Sequence, residues 1–363
     1  MLPFFGPKFG NAASGSHHFG WEADGAVEVA RKRIANLANA SAPEIVFTSG
    51  ATESDNLAIK GVVTAAGVRG THIVTLATEH KAVLDTAERL AQDGCRVTIL
   101  QPRTDGLIDL DELRNSIAPD TVLVSVMYAN NEIGVIQPVQ QIGEICREKQ
   151  LLFHCDAVQA FGKIPVDVEA CHIDLMSLSA HKLYGPKGVG ALYVRRRIAR
   201  RLVAQMDGGG HEGGLRSGTL NVPGIVGFGE ACAIAAVEMT AECARLRELR
   251  DRLKQSLEDG LAGVHVNGSL ESRLSGNLNV SFEGVEGDAL LVALPELAVS
   301  AGSACNSHAA GDSHVLKAIG LRPDLIQSAV RFGLGRFTTA EEIDHAASRV
   351  IEVVRKLRAD APL

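Results

Sequence analysis

The chain has 363 residues, of which 46% are hydrophobic and 22% charged, and its formal net charge is −7. That length suits one large domain with a smaller appendage, or two domains. The mildly acidic balance, with a pI near 6.0, disfavours nucleic acid and anionic membrane surfaces as partners.

No apolar run approaches the roughly 20 residues that span a bilayer; the longest, Leu290 to Val299, is broken by Pro295 and Glu296. The start, Met1-Leu2-Pro3-Phe4-Phe5, lacks a basic segment followed by an apolar one, so no signal peptide is expected. The 7 cysteines include no Cys-x-x-Cys pair. They fit reduced thiols and a cytoplasmic location better than a disulfide framework or a zinc site.

Helical and strand patterns alternate from the start. An amphipathic helix is predicted from Ala26 to Asn39, followed by a β-rich run from Glu44 to Thr48 and a helix reaching Gly61. Ile73 to Leu76 reads as a strand, Ala82 to Gln92 as a helix and Arg96 to Leu100 as a strand. Thr121 to Met127 is a continuous apolar strand, Val139 to Lys149 a helix, and Leu151 to Cys155 and Leu175 to Leu178 further buried strands. Short, near-continuous apolar strands between helices predict a mainly parallel sheet covered on both faces. From Glu230 to Asp259 the pattern changes to a long charged helix. A strand-like run from Asn277 to Phe282, a helix near Gly287 to Leu294, a strand from Ala329 to Gly333 and a helix from Ala340 to Arg358 then suggest a smaller α+β domain.

Several residues at predicted strand ends can carry chemistry. Lys182, in Ser179-Ala180-His181-Lys182-Leu183-Tyr184-Gly185-Pro186, follows a buried strand. A lysine short of water there has a lowered pKa and can form an imine, although most lysines before a Gly-Pro turn are solvated. Ser49-Gly50-Ala51-Thr52 joins a strand to a helix and offers free N–H groups to a phosphate, or is an ordinary helix cap. Asp156 ends another strand, where a buried carboxylate needs a cation such as a protonated ring nitrogen, with Gln159 three positions on. A solvated loop aspartate is the competing reading.

His80 follows the Ile73 strand and could stack on a flat ring and shuttle protons. Asn130-Asn131-Glu132 takes the equivalent place after the Thr121 strand. These positions all fall at strand C-ends, where one crevice can collect them. The glycine-rich run Gly208 to Thr219 is a linker or a close-approach segment, with Arg216 and Thr219 as anion contacts. Cys305 sits in a small, polar loop as a candidate reactive thiolate, and Arg331 is a candidate carboxylate clamp or a surface ion pair.

Thr48-Ser49-Gly50-Ala51-Thr52-Glu53-Ser54-Asp55-Asn56, Thr78-Glu79-His80, Asn130-Asn131-Glu132, His154-Cys155-Asp156-Ala157-Val158-Gln159, Ser179-Ala180-His181-Lys182, Arg216-Ser217-Gly218-Thr219 and Ser303-Ala304-Cys305 occur in a telling order and spacing. Together they resemble the pyridoxal-phosphate-dependent cysteine desulfurases, in the NifS/IscS branch of the class-V aminotransferases, from about Phe9 to Leu357.

The resemblance implies an α/β protein of PLP fold type I, working as a homodimer. A mainly parallel seven-stranded sheet domain (residues 1–235) would precede a smaller C-terminal α+β domain (236–363) carrying the cysteine loop. It implies that Lys182 bonds the cofactor, Asp156 pairs with its ring nitrogen, and Gln159 and Asn131 lie near its phenolic oxygen. His80 would stack on the ring and transfer protons. Ala51, Thr52, Ser179 and His181 would hold the phosphate, with Thr219 reaching across from the other subunit. Arg331 and Asn131 would bind substrate, and Cys305 would take the sulfur of L-cysteine, pass it to a sulfur acceptor or iron–sulfur scaffold protein, and could transiently ligate a cluster.

Selenocysteine lyase, or an inactive scaffold-like paralogue, is the alternative. The chain departs from the family pattern in three places. It lacks the opening strand with Leu-Asp-x-x-Ala-Thr-Thr ahead of Phe9, as a misassigned start or a compromising truncation would leave it. It ends at Leu363 without the longer tail used for scaffold docking, and it has Gly15 and Gly213 where relatives often carry arginine.

Overall fold

The structure is a computed structural model that describes residues 1–300 and 312–360. Two compact units divide it: residues 1–100, 109–128 and 138–239 form the first, and 101–108, 129–137 and 240–363 the second.

The first unit begins with α1 (His18–Leu37), β1 (Ile45–Thr48), α2 (Ala51–Ala66), β2 (His72–Leu76), α3 (Lys81–Gln92) and β3 (Arg96–Leu100). It continues through α4 (Leu110–Ser116), β4 (Thr121–Ser125), α5 (Val139–Glu148), β5 (Leu152–Asp156), β6 (Leu175–Ser179) and β7 (Gly190–Val194). The strands form one seven-stranded sheet in the order β1-β7-β6-β5-β4-β2-β3. Strands β6, β5, β4, β2 and β3 are mutually parallel, whereas β7 runs antiparallel to both β6 and β1.

This topology collects the strand ends. Gly190 pairs with Thr48 on one side and Ser179 on the other, so β1 and β6 end on the same edge of the sheet. Only glycine fits at 190, because a Cβ there would lie 2.5 Å from the Leu178 carbonyl oxygen and 2.7 Å from the Gly50 Cα. The turn into α2 can therefore lie against the end of β6. Leu57, Ile59, Val62 and Val63 of α2 pack with Val46, Ile73, Leu123, Leu175 and Leu192 of the sheet in a buried cluster. Each such side chain contributes about 1.5–3 kcal/mol by leaving water.

Helix α6 (Val222–Gly260) supplies residues to the first unit up to Met239 and to the second from Thr240. Among the described residues it is the one helix long and apolar enough to cross a membrane, with a mean hydropathy of 1.5 over its best 18-residue window. The sequence reads as a long charged helix only from Glu230, and its apolar first turns do not stand out there. In the fold Phe228, Cys232 and Ala235 are buried, Glu230 pairs with Arg33 of α1, and Gly229 lies against Ala30. One face of the helix thus packs in the first unit, while Val237 is 83% exposed.

The second unit continues with β8 (Val264–Val266), β9 (Asn277–Phe282), α7 (Gly287–Val292), α8 (His314–Ala318), α9 (Pro323–Gln327), β10 (Ala329–Gly333) and α10 (Ala340–Asp360). Its antiparallel sheet has the order β10-β9-β8 and is packed by Leu253, Leu257, Ile343, Val350 and Val354. Segments 101–108 and 129–137, which a linear division leaves in the large domain, group here. Leu274 N–H donates to the Gly134 carbonyl at 2.9 Å and Ser269 N–H to the Asp105 carbonyl at 2.8 Å. Ile133 and Val135 pack with Val315, Leu316 and Ile319.

Candidate functional site

In the first unit, the ends of β1, β2, β5 and β6 bring several of the expected residues together. Asp156 closes β5, 5% exposed, and its Oδ1 accepts the Val158 N–H at 2.9 Å. Among the described residues it has no ion-pair partner. Burial pushes its pKa up, while the Val158 N–H and the charges of His80 and Lys182 pull it back; burial wins. A buried carboxylate in this position favours an incoming cation.

His80 caps α3, its Nδ1 accepting the Ala82 N–H at 3.1 Å, which leaves Nε2 as the proton-bearing nitrogen of the neutral ring. Lys182 lies one turn beyond β6, in a 3-10 turn from Ala180 to Leu183, not at the strand's own end. Tyr184 closes that turn in the left-handed region, with φ at 65°, and Gly185 N–H donates to the Ala180 carbonyl at 2.9 Å. A non-glycine residue in that region is held there by its surroundings at some cost.

The opposite charge preference is built beside it. Ala51 and Thr52 open the 16-residue helix α2, whose first N–H groups are an anion site in principle. Ser179 and His181 hydrogen-bond through Oγ and Nδ1 at 2.9 Å. Burial lowers the His181 pKa, and the cations Lys182 and Lys187 lower it further. Lys187, which sequence reasoning passed over, thus adds positive charge beside His181; the Gly-Pro-Lys turn was its signal. An open cleft of about 380 Å³ between α2 and α3 is lined by Thr52, Asn56, Lys60, His80, Lys81 and Asp85, but not by Asp156 or Lys182.

Contacts within the chain bear on two expectations. Arg216, read as an anion contact, meets the carboxylate of Glu53 of α2 at 2.8 Å, both side chains largely buried. Burial alone would raise the Glu53 pKa, but Arg216 and the Ser49 N–H outweigh it and lower it. The glycine-rich run is no free linker. Glu212 accepts the Phe47 N–H of β1 at 2.7 Å and pairs with Arg31 at 2.8 Å. Gln159 accepts from Lys163 Nζ at 3.2 Å, and Thr219 is exposed.

Sequence reasoning also missed two acids under Asp156. Asp55 and Glu79 are both fully buried, and Asp156 raises the pKa of each after burial itself. Glu79 Oε1 accepts the Met127 N–H at 2.8 Å. Asp55 Oδ1 lies 3.6 Å from His154 Nε2, whose ring is tied to Ser125 at 2.8 Å and Ser177 at 3.0 Å. No described residue gives Asp55 a hydrogen bond of standard geometry, although Ser177 is near enough to lower its pKa. Both acids were visible as the Asp of Glu-Ser-Asp-Asn and the Glu of Thr-Glu-His, but nothing local told of their burial.

Asn131 and Arg331 belong to the second unit, where Arg331 Nη1 donates to the Asn131 carbonyl at 2.6 Å. Cys305 lies outside the described residues. The other six cysteines are buried or half-buried, and burial raises the thiol of each of Cys95, Cys146, Cys155, Cys171, Cys232 and Cys243, so none is poised as a thiolate.

A family model described as aminotransferase class-V matches residues 1–345. The cysteine desulfurase IscS of Anaeromyxobacter sp. (strain Fw109-5) is 58% identical over 363 residues, covering 100% of this chain and 90% of that protein. The IscS protein of Histophilus somni (strain 129Pt) is 56% identical, covering 98% and 88%. A solved structure named NifS-like protein superposes with a TM-score of 0.91 at 39% identity, covering 98% of this chain and 94% of that one. Another, SspA in complex with cysteine, gives 0.81 at 37% identity, covering 93% and 94%.

Proposed function

Because the chain belongs to the class-V aminotransferase family, we propose that it is a pyridoxal-5′-phosphate-dependent cysteine desulfurase. It takes L-cysteine to L-alanine and leaves the sulfur as a persulfide on Cys305. The observation that carries this reading is Asp156: a buried carboxylate without an ion-pair partner among the described residues, lying in the field of His80 and Lys182. The residues present fit the cofactor. Asp156 suits its protonated ring nitrogen, and the α2 N-terminus with Ala51, Thr52, Ser179 and His181 suits its phosphate, with Thr219 contributed by a second subunit. When bound, the cofactor supplies an electron-accepting ring and an aldehyde carbon for an amine.

The chain's own groups do the rest. Lys182 would hold the cofactor through Nζ, and its amine is the group placed to take the substrate's α-proton. His80, its Nδ1 occupied by the Ala82 N–H, would lie against the ring and is free to move protons through Nε2. Asp156 keeps positive charge at the ring nitrogen by remaining a carboxylate once that cation neighbours it. Gln159 and Asn131 serve the phenolic oxygen, and Arg331 with Asn131 receives the substrate carboxylate. Cys305 accepts sulfur as its S–S bond forms and the substrate's C–S bond breaks. The enzyme acts as a cytoplasmic homodimer and hands sulfur to an acceptor or iron–sulfur scaffold protein.

The test is mass spectrometry of the peptide containing Cys305 after one exposure to L-cysteine without reductant. One added sulfur atom on that peptide, together with L-alanine in solution, is the expected result. Alanine formation at the wild-type rate by Cys305→Ala, with sulfur on no peptide, would refute the persulfide step.

A further inference from the structure

Arg331 is fixed more firmly than a carboxylate clamp alone requires. Its backbone pairs with Asn279 of β9 on one side and with Ser300 on the other. Arg331 N–H donates to the Ser300 carbonyl at 2.8 Å, and Ser300 N–H donates back at 3.4 Å. The side chain is held as well: Nη1 donates to the Asn131 carbonyl at 2.6 Å and Nη2 to the Ser300 hydroxyl at 3.0 Å.

The carbonyl end of that grip is itself anchored. Asn130 Oδ1 accepts the Glu132 and Ile133 N–H groups at 2.8 Å, and the Asn277 and Asn279 amides donate to the Glu132 carbonyl at 3.2 and 3.3 Å. Glu132 is buried close by, its acid pushed up by burial and drawn partly back by the Ser313 hydroxyl, His314 and Arg331.

A guanidinium recognises a carboxylate through two parallel N–H···O bonds, so the orientation of its plane decides how well it binds. The acceptors at Nη1 and Nη2 help to set that plane. The Asn131 acceptor is a backbone carbonyl; Ser300 is the side chain that completes the pair. The pairing of Ser300 with β10 runs through its backbone, so alanine there would keep the bridge and lose only the hydroxyl.

We propose that Ser300 is a positioning residue, whose hydroxyl orients Arg331 for the carboxylate of an α-amino acid and so sets selectivity for ligands with a free carboxylate. This rests on the reading of Arg331 as the substrate-carboxylate clamp. Spectral titration of the holoenzyme with L-alanine and L-alaninamide, which bind without sulfur chemistry, tests both. Ser300→Ala is expected to weaken L-alanine about tenfold and to leave L-alaninamide within about twofold, as loss of one hydrogen bond to a charged group implies.

Ser300→Thr, which keeps the hydroxyl, restores L-alanine binding. Arg331→Ala weakens L-alanine more and spares the amide. If Arg331→Ala does so but Ser300→Ala binds L-alanine like the wild type, the role of Ser300 is wrong and the clamp stands. If Arg331→Ala changes neither ligand, the clamp reading falls and the proposal with it. Equal weakening of both ligands by Ser300→Ala, unrepaired by threonine, would mean a purely structural role and overturn the proposal.

Discussion

At the scale of single residues, the site depends on carboxylates that water does not reach. Asp55 keeps its proton to higher pH in the fold than in the unfolded chain, because burial and then Asp156 raise its pKa. Above the ordinary value of 3.8 the unfolded chain releases that proton and the folded one retains it, so stability is lost as pH rises toward the folded value. His154 gives the opposite slope. Burial lowers its pKa from 6.5 to about 3, so stability is lost as pH falls through that window.

Asp55→Asn mimics the neutral acid and removes only the first slope. In the cofactor-free protein the variant should gain Tm over the wild type progressively as pH rises above the ordinary carboxylate value. Parallel melting curves across that range would show that Asp55 ionises normally. Asp156, His80 and Lys182 were legible because each follows an apolar run. Asp55 and Glu79 were not, because their depth depends on strands far away in sequence.

At the scale of elements, an ion pair ties the glycine-rich segment to the sheet. Glu212 accepts the Phe47 N–H of edge strand β1 and pairs with Arg31, whose guanidinium also lies 4.6 Å from the Phe47 ring. Such contacts blunt an exposed edge. Without Glu212, buried Arg31 keeps Glu28 but the Phe47 N–H loses its acceptor, so Glu212→Ala is expected to cost about 1.5–3 kcal/mol in urea unfolding. A loss below about 1 kcal/mol would place the pair among surface ion pairs.

Gly229→Ala should cost about 1–3 kcal/mol by overpacking, since its Cβ would meet the Ala30 Cα at 2.5 Å. An unchanged unfolding midpoint would contradict that packing. Strands β1, β2, β4, β5 and β6 were legible as apolar runs because they are buried almost throughout, whereas edge strand β3 read as a strand although largely exposed or half-buried. Strand β7 was missed: Gly190 opens it for close approach to Gly50, and glycine reads as a turn. Three-residue β8 is only half-buried, and α4, α8 and α9 are too short to show a helical period.

At the scale of the whole molecule, Leu2, Phe5, Phe9, Phe19 and Trp21 are 52–84% exposed, an apolar surface expected to be covered in a homodimer. Light scattering should give twice the 38.4 kDa chain mass, and a monomer mass at micromolar protein would contradict the dimer. The parallel sheet and the order of its motifs followed from sequence. The grouping of segments 101–108 and 129–137 with the C-terminal unit did not, because it rests on hydrogen bonds to residues 269–274.

Lys182 is the residue proposed to hold the cofactor and to move the substrate's α-proton. Alanine release from L-cysteine, wild type against Lys182→Ala with cofactor in excess, tests it most directly. The variant is expected to lose at least about 10²-fold in rate, as removal of a general base implies, together with the visible absorbance of the bound cofactor. A variant that keeps both the absorbance and the rate would rule out both roles for Lys182.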